Sequence, residues 1–276
     1  MFNLICLILG GITSAIISIS QGVFFEISKV WIFPILWLAF TVLSAILIFL
    51  ILFIVSLFFS KKSPDKPNKA CYLIVRLVIG FLCFWGRIKV HVKNGELIEK
   101  GKSYLLVSNH RSNFDPIIQF NTFVRCKPIM ISKPENMKIP LAGPFINKSG
   151  FLAIDRENDR EALKTVLKAI KFIKNHGVSV GVCPEGTRNK TGRDLLPLKV
   201  GALKIATKAN VPIAVMTFEG TEKISKNFPF KRSHVYVDVL KVITPEEYKD
   251  KSTQEIGDEI ARLMQENIDR YSSHND

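Results

Sequence analysis

Residues 103–116 have the sequence SYLLVSNHRSNFDP, a short apolar run followed by a polar turn. Four consecutive apolar residues bounded by serines are typical of a buried strand. Ser112 or Asn113 can cap a helix, which we predict over residues 113–122. This stretch therefore predicts a strand that leads directly into a helix, the unit from which α/β domains are built.

The same alternation continues along the chain. Apolar runs predict strands at residues 88–92, 103–108, 151–154, 178–183, 211–218 and 234–240, and helical periodicity predicts helices at residues 113–122, 159–175, 199–209 and 253–271. In the clearest helix, 159–175, one predicted face is apolar and the other is rich in lysine; the apolar face comprises Leu163, Val166, Leu167, Ile170 and Ile173. The pattern predicts an α/β fold with a mixed, largely parallel sheet flanked by helices.

The first 60 residues differ from the rest in charge. Of the 38 basic and 24 acidic residues in the 276-residue chain, only Glu26 and Lys29 lie there, so the remainder carries the whole net charge of +14. Residues 31–59 hold 25 apolar residues out of 29 and no charge, which is enough to cross a bilayer. With the shorter apolar run at about residues 2–20, they predict a two-helix transmembrane hairpin as a membrane anchor.

Basic residues near the ends of the apolar runs predict the orientation. Four lysines lie within residues 61–69, whereas the loop between the two runs contains only Lys29. Because basic residues favour the cytoplasmic side of a membrane, we expect the domain at residues 87–276 to lie on the cytoplasmic side of the cell membrane, after a linker at residues 61–69.

A third apolar stretch, residues 70–86, contains Arg76 near its middle. A central arginine is costly in a spanning helix. Two interpretations remain open: a helix lying in the membrane interface, and a helix packed on the core of the domain.

His110 and Asp115 lie in the turn that follows the strand at residues 103–108. Side chains at such strand-to-helix turns line the ligand crevice of α/β folds. A carboxylate that holds one imidazole nitrogen leaves the other free as a general base. No nucleophile elbow is present, because the Gly-x-Ser-x-Gly sequence at residues 177–181 begins a predicted strand and does not follow one. The group that this base would deprotonate is therefore expected to be a substrate hydroxyl. The alternative is a capping or core histidine.

Two further candidates follow predicted strands. Residues 184–188 read PEGTR, where Gly186 allows close backbone approach, Arg188 offers a planar fork for phosphate oxygens, and Glu185 is expected to orient Arg188 or bond a ligand hydroxyl. The alternative is a surface turn with a local ion pair. Arg156 is a second candidate phosphate ligand, or the partner in an ion pair at a helix start.

Other classes of site have little support. The five cysteines form no Cys-x-x-Cys pair and the five histidines show no metal-ligand spacing, so we expect neither a disulfide framework nor a metal site. The basic residues are not interleaved with aromatic residues along one face, which argues against nucleic acid as a partner. A non-catalytic basic protein that binds anionic lipid remains an alternative.

The order and spacing of these motifs resemble the 1-acylglycerol-3-phosphate acyltransferase family over about residues 85–220. The matching positions are Asn109-His110-x-Ser112-x-x-Asp115, Ile154-Asp155-Arg156, Pro184-Glu185-Gly186-Thr187-Arg188 and Val211-Pro212-Ile213. The resemblance implies acyl transfer from a thioester to lysophosphatidic acid, giving phosphatidic acid, with His110 as general base and Asp115 as its orienting partner.

The resemblance also implies the binding residues. Arg188 is associated with the acceptor phosphate, Glu185, Gly186 and Thr187 match the rest of that motif, Arg156 matches the second motif, and Lys133 lies in the region that precedes it. It implies no cofactor, with acyl-CoA or acyl carrier protein as the co-substrate. The lipid bilayer is an expected partner, and the carrier protein is a partner in one of these two alternatives. Departures at Arg111, Cys183 and Asn189 leave another lysophospholipid, or glycerol 3-phosphate, open as the acceptor.

Overall fold

The computed structural model describes residues 2–60, 62–155, 158–190 and 194–273. The α-helices are α1 (Phe2–Ser20), α2 (Ile32–Leu57), α3 (Lys69–Trp85), α4 (Asp115–Thr122), α5 (Ala142–Lys148), α6 (Asp159–His176), α7 (Lys204–Ala209), α8 (Ile224–Asn227), α9 (Pro245–Tyr248) and α10 (Thr253–Ser273). The strands are β1 (Ile88–Lys93), β2 (Leu105–Ser108), β3 (Pro128–Ser132), β4 (Leu152–Ala153), β5 (Ser179–Val182), β6 (Ile213–Glu219) and β7 (Ser233–Ile243).

Helices α1 and α2 pack against each other as a hairpin. At Gly10 the backbones approach so closely that a Cβ atom would lie 2.6 Å from the backbone nitrogen of Thr41, and small residues at such positions allow close helix packing in membranes. Trp37 Nε1 also donates to the carbonyl oxygen of Leu7 at 2.9 Å. Both helices are long and apolar enough to cross a membrane, which indicates a membrane-associated protein.

The seven strands form one sheet in the order β1-β7-β6-β2-β5-β3-β4. Strands β6, β2, β5, β3 and β4 run parallel, and β7 pairs antiparallel with β6 and parallel with β1. The predicted mixed, largely parallel sheet is confirmed. One edge of this sheet therefore carries the carboxyl ends of the five parallel strands together with the first residues of β1 and β7.

Alternate residues of the central strands enter apolar clusters on opposite faces of the sheet. Leu105 and Val215 belong to a cluster that includes side chains of α6, α7 and α10. Leu106 and Met216 belong to a second cluster, which includes Ile118 of α4. Helices therefore cover both faces, as an α/β sheet with parallel strands requires.

Helix α3 packs on the domain while exposing part of its surface. Cys71, Val75 and Cys83 are buried against the domain, whereas Phe84 and Trp85 at its carboxyl end are exposed. Asn68 caps its start, because its side-chain oxygen accepts from the backbone N–H of Cys71 at 3.0 Å.

Several elements differ from the sequence expectation. Strand β3 and helix α5 were not predicted: β3 begins with a proline and contains only three central apolar residues, too few for a period to emerge. In α6 the buried side chains are Ala169, Phe172 and Ile173, while Leu163 and Leu167 are exposed. The predicted apolar face is correct for Val166, Ile170 and Ile173, which are buried or pack against the core. It is wrong for Leu163 and Leu167, because the 3.6-residue period places both on the side of the helix away from Ala169.

Candidate active site

The candidate site lies where the carboxyl ends of β2, β5 and β6 meet. Strand β2 is hydrogen-bonded to β5 on one side and to β6 on the other. The segments that follow these strands begin at Asn109, Cys183 and Gly220, so residues from three distant parts of the sequence converge. The fold thus brings together two of the predicted motifs, the one around His110 and the one around Glu185.

His110 and Asp115 form the predicted pair. His110 Nδ1 lies 2.9 Å from Asp115 Oδ2, and because a carboxylate accepts, Nδ1 is the protonated nitrogen. Asp115 is fully buried, and the His110 side chain is 12% exposed. Within the described residues no group bonds Nε2 of His110, so this nitrogen is available as a proton acceptor.

The buried carboxylate of Asp115 is held by three further hydrogen bonds. Oδ2 also accepts from the backbone N–H groups of Arg111 and Ser112, both at 2.7 Å. Oδ1 accepts from the hydroxyl of Thr221 at 2.5 Å. A buried charge needs such partners, and together they fix the orientation of the carboxylate and therefore of the imidazole.

Asn109 attaches the start of this turn to β6. Its side-chain oxygen accepts from the backbone N–H of Phe218 at 2.7 Å, and its amide nitrogen donates to the carbonyl oxygen of the same residue at 3.1 Å. These two bonds continue the hydrogen-bonding pattern between β2 and β6 by one residue. They therefore fix the position of the backbone that leads into His110.

Glu185 joins the second motif to the first. Its Oε1 accepts from the backbone N–H of His110 at 2.6 Å, and its Oε2 accepts from the backbone N–H of Leu196 at 3.2 Å. Burial raises the pKa of this carboxyl, while the two N–H donors act in the opposite direction. The structure thus gives Glu185 backbone partners, and within the described residues no bond from Glu185 to Arg188.

The rest of the PEGTR turn faces solvent beside His110. Gly186 has a φ of 74°, a conformation that favours glycine, and Thr187 and Arg188 are exposed. The backbone N–H of Asn189 donates to the carbonyl oxygen of His110 at 2.7 Å. Arg188, one residue earlier, therefore lies next to the candidate base, and in the described part of the chain no carboxylate pairs with it.

Comparison with known proteins agrees with this geometry. A family model described as Acyltransferase matches residues 89–219. The 1-acyl-sn-glycerol-3-phosphate acyltransferase of Borreliella burgdorferi is 30% identical over 202 residues, which cover 70% of this chain and 79% of the relative. This chain belongs to the 1-acyl-sn-glycerol-3-phosphate acyltransferase family.

Two further similarities extend the comparison. A relative of the same name from Escherichia coli is 28% identical over 213 residues, covering 76% of this acyltransferase and 83% of the relative. The crystal structure of the 1-acyl-sn-glycerophosphate (LPA) acyltransferase from Thermotoga maritima matches with a TM-score of 0.59 and 24% identity, covering 73% of this chain and 79% of that one. At that identity the second similarity supports the fold alone.

The remaining predicted residues of the acyltransferase lie further from His110 or outside the description. Lys133 is exposed and follows β3 at the same edge of the sheet. Since β3 is two strands from β2, the ends of these strands are roughly 10 Å apart. Arg156 lies outside the described residues.

Lys199 is a residue of this acyltransferase that the sequence did not indicate. Its backbone N–H donates to the carbonyl oxygen of Pro184 at 2.8 Å. A Cβ atom at Gly186 would lie 3.0 Å from Lys199 Cε and 3.5 Å from its Nζ. The ammonium group therefore lies over the PEGTR turn, and among the described residues no carboxylate neutralises it. No pattern in the sequence marks Lys199, since lysines are frequent throughout the basic part.

Arg111 is part of an ion-pair network in this acyltransferase. Its Nη1 bonds Glu219 Oε2 at the end of β6, and its Nε lies 3.7 Å from Glu222 Oε2. Burial raises the pKa of Glu219, while Arg111 beside it acts in the opposite direction. The polar sequence EGTE at residues 219–222, which directly follows a strand, was the available signal for both Thr221 and this network.

No group of three or more histidine, cysteine, aspartate or glutamate side chains in the described ranges is placed to hold a metal ion. The nearest thiol is Cys183, whose Sγ lies 3.5 Å from Ser108 Oγ and which is half-buried. An oriented imidazole and the cations beside it are the groups on which the proposal below is built.

Proposed function

We propose that this acyltransferase transfers an acyl group from a thioester to the sn-2 hydroxyl of 1-acylglycerol 3-phosphate, giving phosphatidic acid. The observation that carries the proposal is the His110–Asp115 pair, whose buried carboxylate orients the imidazole. Arg188 and Lys199 lie beside this pair, and both are exposed cations that no described carboxylate neutralises. The names of the relatives support the same acceptor.

The reaction needs one base and no covalent enzyme intermediate. Nε2 of His110 accepts the proton of the acceptor hydroxyl while its oxygen attacks the thioester carbonyl carbon. An ester C–O bond forms, the C–S bond breaks, and the proton passes from Nε2 to the departing thiolate. Asp115 stabilises the imidazolium in between, as the carboxylate of a catalytic triad does.

In this proposal two cations position the acceptor. Arg188 and Lys199 bind the phosphate, and the short distance along the backbone from Arg188 to His110 places the hydroxyl near Nε2. Oriented binding of this kind is worth roughly 7–11 kcal/mol of the barrier. The same chemistry serves acyl-CoA and acyl carrier protein, because both present a thioester.

In this proposal the active site lies on the cytoplasmic side of the membrane. Residues 1–60 are the anchor, residues 61–69 the linker, residues 70–86 a helix packed on the domain, and residues 87–276 the acyltransferase domain. The lysines at 62, 66 and 69, which follow α2, support this orientation.

The test is acyl transfer to a panel of acceptors in membranes that contain the intact chain. His110→Ala is expected to abolish transfer to lysophosphatidic acid, whereas His91→Ala, which changes a histidine of β1, leaves it intact. Equal amounts of folded protein are verified for both variants. Turnover by His110→Ala would refute the mechanism, and a preference for glycerol 3-phosphate or another lysophospholipid would refute the acceptor.

A further inference from the structure

In the described residues that follow the hairpin, exposed aromatic side chains are concentrated at two segments that are far apart in sequence. Phe84 and Trp85, at the end of α3, are 67% and 56% exposed, and Phe228 and Phe230, between α8 and β7, are 43% and 82% exposed. The same two segments carry three exposed basic residues, Arg87, Lys231 and Arg232. We call these seven residues the aromatic-basic patch.

Specific contacts assemble the patch. Arg87 Nη1 donates to the carbonyl oxygen of Phe230 at 2.9 Å, and the backbone N–H of Ser233 donates to the carbonyl oxygen of Arg87 at 3.2 Å. Gly86 lies against the ring of Phe228, where a Cβ atom would come within 2.9 Å of Cδ2. The two segments therefore form one surface with a defined arrangement.

The patch is continuous with the apolar hairpin. Trp85 Nε1 donates to the side-chain oxygen of Asn3, at the start of α1, at 3.3 Å. One residue earlier, the ring of Phe2 lies 4.9 Å from that of Phe81 in α3 and 5.3 Å from that of Phe49 in α2. The aromatic-basic patch therefore lies next to the first residues of α1, the first helix of the hairpin.

The patch also lies at the edge of the sheet that holds the candidate site. Ile88, which follows Arg87, pairs with Ser233 at the start of β7. Tyr236 of β7 pairs with Glu219, the last residue of β6. Residues 230–233 therefore extend beyond the carboxyl end of β6, on the side where the His110 turn lies.

We propose that the aromatic-basic patch is a second membrane contact, which seats in the head-group region of a bilayer containing anionic phospholipid. Aromatic side chains favour the membrane–water interface, and basic residues near an anionic surface each contribute about a fivefold gain in binding. Charge complementarity and continuity with the hairpin favour lipid over a soluble protein as the occupant. The proposal concerns the surface alone, so it stands or falls separately from the acceptor and the reaction.

The test measures the depth of a nitroxide label on the full chain in lipid nanodiscs. Phe230→Cys carries the label, and Leu97→Cys, which is 42% exposed beyond the far end of β1, is the matched control. Four of the five native cysteines are buried and Cys183 is half-buried, so the labelled unsubstituted chain supplies the background. Collisions with oxygen report lipid, and collisions with a water-soluble nickel chelate report solvent.

In nanodiscs containing phosphatidylglycerol, we expect the label at residue 230 to collide more often with oxygen than with the nickel chelate. We expect the label at residue 97 to show the reverse. Adding Lys231→Gln and Arg232→Gln to the labelled chain should weaken local docking roughly 25-fold in those nanodiscs, whereas Lys204→Gln with Lys208→Gln should not.

A label at residue 230 as accessible to nickel as the one at residue 97 would overturn the proposal. Immersion equal in phosphatidylcholine and phosphatidylglycerol would overturn the anionic preference, and immobilisation only on addition of an acidic carrier protein would assign the patch to a protein instead.

Discussion

The hydroxyl of Thr221 donates a 2.5 Å hydrogen bond to Oδ1 of Asp115, 106 residues away in the sequence. Thr221 follows β6 and is fully buried. Through this bond the segment between β6 and β7 supports the carboxylate that orients His110. The candidate catalytic pair is therefore supported by a residue outside its own motif.

Replacing Thr221 by valine should lower kcat while leaving KM for lysophosphatidic acid nearly unchanged. The change keeps the shape of the side chain but leaves a buried carboxylate oxygen without its partner, a cost of about 1–3 kcal/mol, or roughly 10- to 100-fold in kcat if it falls on the transition state. Thr221→Ser should retain activity. Steady-state kinetics in membranes check this; equal kcat for the serine and valine variants would contradict it.

Arg111→Gln should destabilise the protein through Glu219. The variant leaves a partly buried carboxylate without its main cation, so the free energy of unfolding should fall by about 1–3 kcal/mol. Glu219→Gln in the same chain should restore most of the loss, because the unpaired charge is gone. A double-mutant cycle of melting temperatures checks this, and additive losses in the double variant would count against the pairing.

Lys199→Met should raise KM for lysophosphatidic acid more than it lowers kcat. A hydrogen bond to a charged group contributes about 1.5–3 kcal/mol, so kcat/KM should fall roughly 10- to 100-fold. Lys208→Met, which changes an exposed lysine in α7 near the opposite edge of the sheet, is the matched control. Equal kcat/KM for the two variants would remove Lys199 from the phosphate site.

The ionisation of Glu185 should make the stability of the site region depend on pH. Burial raises the pKa of this carboxyl in the folded chain above its ordinary value of 4.5, so the folded state binds the proton more tightly than the unfolded state. Its contribution to stability is therefore complete below pH 4.5 and is lost as the pH rises through the raised pKa.

Comparison with Glu185→Gln isolates that contribution, since the glutamine does not titrate. The melting temperature of the wild-type protein minus that of the variant should fall as the pH rises above 4.5 and then level off. A difference that stays constant, or that increases with pH, would show that burial does not raise this pKa.

Much of the fold follows from local patterns. The unit at residues 103–116 was predicted from four apolar residues and a polar turn, and β2, α4 and the His110–Asp115 pair are where it placed them. Strand β3 was not predicted, because its three central apolar residues are too few to show a periodicity. Leu163 and Leu167 were assigned wrongly to the buried face of α6, because periodicity locates apolar side chains and does not show which side of the helix packs on the sheet.

The contacts of the site that the sequence did not predict are those that depend on strand order. Thr221 reaches Asp115 because β6 is adjacent to β2, and Glu185 reaches the backbone of His110 because β5 is adjacent to β2 on the other side. Neither adjacency is encoded in a short stretch of sequence. Lys199 likewise becomes notable only because its side chain lies over Gly186.

The hairpin meets the domain at two separate places. Asn3 bonds Trp85 at the beginning of α1, and the ring of Phe59, just after α2, lies 5.1 Å from that of Phe145 in α5. A domain held by one flexible tether tilts freely, whereas two attachments leave it little rotation. In the proposed mechanism, the depth of the hairpin in lipid therefore sets the height of His110, and lateral diffusion of the lipid substrate is the movement that brings a hydroxyl to Nε2.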